Sequence, residues 1–137
     1  MKKFDGKPYK WFVPIIVTVV IFIIFKCLFL IGYVPTSSME PTIEKGSYIV
    51  GIRLYQTLEK GDIIIFSYED KLLVKRIAAV AGEYIEINGE YILVPEDCYY
   101  VLGDNSENSY DSRYWEEPFI KSDDVEAKLY LLPEETN

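Results

Sequence analysis

The chain has no histidine in 137 residues, and that absence narrows its chemistry more than any other feature of composition. It removes the commonest zinc ligand and the usual general base of hydrolases. Cysteine is almost as scarce. Cys27 lies inside an apolar run and Cys98 far outside it, so the two thiols make neither a disulfide framework nor a metal site. No metal and no cofactor is expected. Positive charge is thin beyond the first 34 residues. Up to Val34, five lysines face Asp5 alone, a net of +4; from Pro35 onward nine Lys and Arg face twenty-one Asp and Glu, a net of −12. An acidic body repels phosphate backbones, so nucleic acid is not an expected partner.

Apolar residues, by contrast, are plentiful: 50% hydrophobic and 15% aromatic, enough to bury a core. The longest run is "WFVPIIVTVVIFIIFKCLFLIGYV", residues 11 to 34, with Lys26 its only charge. About 20 apolar residues cross a bilayer as a helix. Pro14 is placed in the first turn, where a missing amide hydrogen is tolerated. Lys26 is expected to snorkel to a headgroup layer or to face a partner. A cleavable secretory signal shares the basic start, but the run exceeds the usual apolar core of about 7–15 residues and no A-x-A site follows it. The expected organisation is therefore a cytoplasmic basic N-terminus (1–10), a transmembrane anchor (11–34) and an outer domain (35–137). Lys2, Lys3, Lys7 and Lys10 ahead of the span place the N-terminus in the cytoplasm by the positive-inside rule. The predicted location is the cell membrane, single-pass, with the acidic domain extracytoplasmic and the lipid bilayer as one partner.

The outer domain reads as mainly β, a small antiparallel β-sheet domain carried on a single N-terminal transmembrane helix. "SYIVGIRL" and "GDIIIFSY" are β-branched and aromatic runs bounded by Gly and charge. "KLLVKRIAAVAG" has blurred alternation, which points to burial on both faces. "EYIEINGEYILV" carries Asn88-Gly89 between alternating segments, the strongest short-range hairpin signal. "CYYVLGD" and "VEAKLYLL" close the series. Residues 103 to 118 form the longest irregular stretch, and loops that long are more often functional than idle.

Three neighbouring hydroxyls, Thr36, Ser37 and Ser38, stand just behind the apolar run, in "YVPTSSMEPT". They are either ordinary turn residues or the seat of a nucleophile. A nucleophilic hydroxyl needs a base, and without His the options are Lys, a carboxylate or the N-terminal amine. The amine is across the membrane and a carboxylate is too weak a base near neutral pH. Lys remains, as in known Ser–Lys dyads, provided burial lowers its pKa toward about 7–8. Lys75 shares a strand face with Leu73, Ile77, Ala79 and Ala81, so it is either one ammonium in an apolar face or a solvent-facing residue with half-exposed neighbours. The loop "GDNSENSYDSR" is dense in groups that bond local backbone, and Asp111 and Arg113 are spaced to pair.

Four blocks in order behind an anchor, "SSMEPT" (37–42), "KGDIIIF" (60–66), "VKRIAAVAGE" (74–83) and "GDNSENSYDSR" (103–113), resemble the type I signal peptidases, the bacterial Ser/Lys leader peptidase family. The resemblance implies a membrane-anchored serine endopeptidase removing signal peptides from exported preproteins. It implies Ser38 as nucleophile and Lys75 as general base. It also implies an oxyanion hole from the Ser38 amide and Thr36, Ser109 orienting the lysine, Asp111 and Arg113 supporting the site, and Met39 offering apolar surface near the membrane. Only 20 residues separate Gly82 from Gly103, so this is a short form without the large second β domain. The branch of the family that uses His as base is excluded. Other readings are a peptidase dedicated to one surface protein such as a pilin, or a non-catalytic assembly factor.

Overall fold

The computed structural model describes residues 9–130. Helix α1, Tyr9–Leu28, takes up most of the apolar run. Its stretch Lys10–Leu28 is long and apolar enough to cross a membrane, and protein covers none of it. A helix suits that setting because all its interior backbone groups are satisfied within the segment. Lys26 lies 5.6 Å over the Phe22 ring, one turn earlier. Lys2, Lys3 and Lys7, on which the expected orientation rests, lie outside the described residues.

Two details of the apolar run differ from expectation. The run divides at Leu28, and Phe29–Tyr33 is strand β1, paired antiparallel with β2 (Tyr48–Ile52) from Phe29↔Ile52 to Tyr33↔Tyr48. Apolarity does not separate helix from strand; packing does. Leu30 and Val34 turn inward onto Ile49 and Ile63, while Ile31 and Tyr33 face out. Pro14 is the sixth residue of α1 rather than a first-turn residue, so it removes an amide that would bond the Lys10 carbonyl. The Thr18 hydroxyl donates to the Pro14 carbonyl at 2.9 Å.

The remaining strands are β3 (Ile63–Tyr68), β4 (Lys71–Val80), β5 (Tyr84–Ile87), β6 (Glu90–Leu93), β7 (Cys98–Leu102), β8 (Phe119–Lys121) and β9 (Val125–Leu129). Seven of the nine strands among the described residues form one antiparallel sheet in the order β1-β2-β9-β3-β4-β7-β8, and β5–β6 stand apart as a hairpin. Beyond α1, the only helical piece among the described residues is a 3-10 turn at Ser122–Asp124. Asn88 and Gly89 turn the hairpin with φ of 54° and 85°, the left-handed pair that a two-residue hairpin loop requires. Glu69 and Asp70 do the same between β3 and β4, at 47° and 60°, without the Asn-Gly signature that made the other turn legible.

Burial on both faces falls on β3 rather than on β4. Ile63 and Ile65 enter one apolar cluster, with Leu30, Val34, Met39 and Ile49; Ile64 and Phe66 enter another, with Ile77, Val101 and Trp115. Strand β4 alternates, with Lys75, Ile77 and Ala79 buried and their neighbours half-buried. Residues 103 to 118 stay irregular, and Cys27 and Cys98 are both unpaired.

Candidate active site

Three segments meet at one end of the sheet: the turn after β1, the middle of β4 and the loop after β7. The first carries Ser38. Its carbonyl accepts the Asn105 amide at 3.0 Å, which ties the turn to the loop. The second carries Lys75, opposite Ile64 in the β3–β4 register and only 4% exposed. Lys75 Nζ donates to Ser38 Oγ at 2.7 Å. The lysine therefore faces inward, which resolves the two readings of its strand face. Burial pushes its pKa below the ordinary lysine value; Asp111 and Asp104 oppose that shift and Arg113 adds to it. The physical cause is the loss of water around the charged form.

Thr36 Oγ1 lies 3.3 Å from Ser38 Oγ. Among the described residues, no backbone acceptor takes the Ser38 amide hydrogen. Ser37, next door, is half-buried and makes no contact of this kind.

The loop is organised around Asp111, whose side chain is completely buried. It accepts the Gly103 amide at 2.9 Å, the Ser109 hydroxyl at 2.6 Å, and Arg113 Nε and a second guanidinium nitrogen at 2.8 Å each. Burial raises the pKa of this carboxyl most, but the bonds from Arg113, Gly103 and Ser109 together outweigh it, and the net shift is downward. Ser109 is thus tied to Asp111, and no hydrogen bond joins it to Lys75 in this structure. Gly103 passes between the two halves of the site. A Cβ there would fall inside contact distance of both the Ser109 side chain and the Ser38 carbonyl. Met39 is fully buried beside Leu30, Val34 and Ile43, beneath the turn that carries Ser38.

One support was not singled out from sequence. Arg76, next to Lys75, holds Asp104 through Nε at 2.8 Å and a second nitrogen at 2.6 Å, and its other donor reaches the Gly61 carbonyl at 2.8 Å. A longer contact, 3.4 Å, runs to Thr42 Oγ1. This fork joins β4 to the loop and the turn. Both residues lie in the blocks quoted above, but 28 positions separate them, and only the fold brings them together.

Two cavities open on the pair. One, of about 100 Å³, is lined by Val34, Met39, Leu72, Val74, Ser38 and Lys75 among others. The other, of about 280 Å³, is lined by Thr36, Ser38, Leu73, Lys75, Tyr68, Glu69, Lys71, Asn108 and Tyr110. No group of three or more His, Cys, Asp or Glu that could hold a metal occurs among the described residues.

Similarity to known proteins runs along the same segments. The family model "Signal peptidase, peptidase S26" matches residues 9–94 and 88–132. "Probable signal peptidase I-2" of Synechocystis sp. is 33% identical over 117 residues, covering 61% of this chain and 54% of that protein. "Signal peptidase I" of Leptolyngbya laminosa is 28% identical over 119 residues, with 61% and 59% covered. "Signal peptidase I V" of Bacillus subtilis is 27% identical over 147 residues, with 77% and 88% covered. The chain spans little more than half the length of the first two relatives. With matches reaching from the apolar helix through the last strand, this chain belongs to the signal peptidase family, peptidase S26.

Proposed function

We propose that the chain is a membrane-anchored serine endopeptidase that removes N-terminal signal peptides from exported preproteins. The observation that carries the reading is the 2.7 Å contact between the buried Lys75 amine and Ser38 Oγ. In its neutral form the amine accepts the hydroxyl proton as Ser38 attacks the scissile carbonyl. It then returns that proton to the departing amine, the role a triad histidine plays elsewhere. The Ser38 amide and Thr36 hydroxyl stabilise the oxyanion. Asp111, Arg113 and Ser109 hold the loop against the turn, and Asp104–Arg76 holds it against β4.

Substrate binding follows from the sheet. Strand β4 pairs with β3 along Lys71–Arg76 but with β7 only from Arg76 onward, so Lys71–Lys75 keeps one free edge beside Ser38. An extended peptide adds to such an edge through its backbone. The 100 Å³ cavity then takes a small side chain next to the cleaved bond. Helix α1 holds the turn near the bilayer surface, where a signal peptide presents its cleavage site. Sharing one membrane raises the effective concentration of enzyme and substrate.

The purified chain in detergent or lipid is expected to cleave a signal-bearing preprotein. Activity should rise with pH through an apparent pKa below the ordinary lysine value of about 10.4, because only the neutral amine is a base. The sign follows from the shift: a lowered lysine pKa makes the active form available at lower pH. Absence of cleavage, or a rise centred on the ordinary lysine value, would remove the mechanism. Orientation is tested separately. Protease added outside wall-free cells should digest the 35–137 region; digestion only in inverted vesicles would reverse the proposed topology.

A further inference from the structure

The larger cavity has a wall that the dyad chemistry does not need. Tyr68 stacks on Trp115 with ring centroids 4.1 Å apart, and Tyr110 meets the same Trp115 edge-on at 6.3 Å. Trp115 is 95% buried, so both tyrosines rest on a fixed support. Tyr68 and Tyr110 line the cavity together with Leu73, Ser38 and Lys75 themselves. An aromatic wall held in place loses little freedom on binding. At about 280 Å³ the space is nearly three times that of the smaller cavity.

We propose that this cavity is a subsite for a large apolar or aromatic side chain carried by the first substrate residue after the cleaved bond. The inference rests on the peptidase reading above and deepens it. The position follows from strand geometry. Successive side chains of an extended peptide point to opposite faces, so when one residue fills the small cavity its neighbour points away from it. Lys75, which must return its proton to the departing amine, lines both cavities. A residue just after the cut that points away from the small one therefore meets the larger one, with Asn108 and Tyr110 in its lining. The chemistry of the occupant follows from charge. Lys75 lines the cavity, so an anionic side chain would favour its charged form and weaken the base. A cationic one would meet Lys71 and Glu69 together, with no net opposite charge to receive it, and would have to shed water against the tyrosine wall. An uncharged ring packs on Tyr68 and Tyr110 and excludes water from the dyad.

The test uses the full chain in detergent and one preprotein with Gly, Ala, Leu, Phe, Asp or Lys immediately after the cut, the cut itself mapped by mass spectrometry. Phe and Leu should exceed Gly in kcat/KM by about 10-fold or more, the scale of a hydrophobic pocket's discrimination. Asp and Lys should fall below Gly. Tyr110→Ala should collapse the Phe-to-Gly ratio toward one, and Tyr110→Phe should keep it. Tyr110 is 65% exposed, so neither change threatens folding. A flat series, a preference that survives Tyr110→Ala, or a preference expressed only before the cut overturns the subsite while leaving the peptidase intact. If wild type cuts none of the six and matches Ser38→Ala, the peptidase reading falls with it.

Discussion

Ser38→Ala and Lys75→Ala are each expected to reduce turnover by about 10⁴-fold or more while leaving the fold intact. In the proposed mechanism the two atoms, 2.7 Å apart, act as one proton-transfer unit, and members of such a unit are strongly non-additive. The double variant should therefore be little worse than either single one. Lys75→Arg should not rescue, because a guanidinium keeps its proton at every accessible pH. Ser38→Cys should retain some activity, since a thiol asks less of its base. Ser37→Ala is the internal control and should keep most activity, since it lacks the contact that Ser38 has. A dead Ser37→Ala beside an active Ser38→Ala would move the nucleophile. Full activity in Lys75→Arg would end the general-base assignment.

Asp111→Asn should destabilise the domain by about 3–5 kcal/mol, the range for removing one partner of a buried pair. The carboxylate is wholly buried and accepts from Gly103, Ser109 and Arg113 at once. An amide supplies one oxygen and turns an NH₂ toward groups that are themselves donors, leaving Arg113 without its counter-charge. The denaturant midpoint should fall with little change in slope, and activity should fall with it as Gly103 and Ser109 shift against the Ser38 turn. The pH dependence has a definite sign. The folded-state pKa of Asp111 is lowered, so its contribution is complete above the unfolded value of about 3.9. It is lost as pH drops through the lower folded value. The stability gap between wild type and variant should accordingly be widest near neutral pH and close in acid. An unchanged midpoint together with unchanged turnover would show that Asp111 does not brace the site.

What the amino-acid sequence determined unaided is local or eliminative. The absence of His removed the usual general base and pointed to Lys as the candidate base for a hydroxyl nucleophile. Asn88-Gly89 specified its hairpin because both residues accept the left-handed backbone that the turn demands. The spacing of Asp111 and Arg113 allowed their pairing within one loop, and the run of apolar residues made a helix long enough to span a membrane. The tertiary structure decided whatever depends on which residue covers which. Lys75 had two admissible strand faces; its pairing opposite Ile64, against the cluster of Ile77 and Val101, made it buried and lowered its pKa. The apolar run became helix and then strand at Leu28, because β2 offered Phe29–Tyr33 a pairing edge and the core took Leu30. Met39 packed under the turn, and Arg76 met Asp104 across 28 residues. Periodicity reports the face of an element, whereas desolvation and ion pairing depend on the elements laid against that face, and those are chosen only when the chain folds.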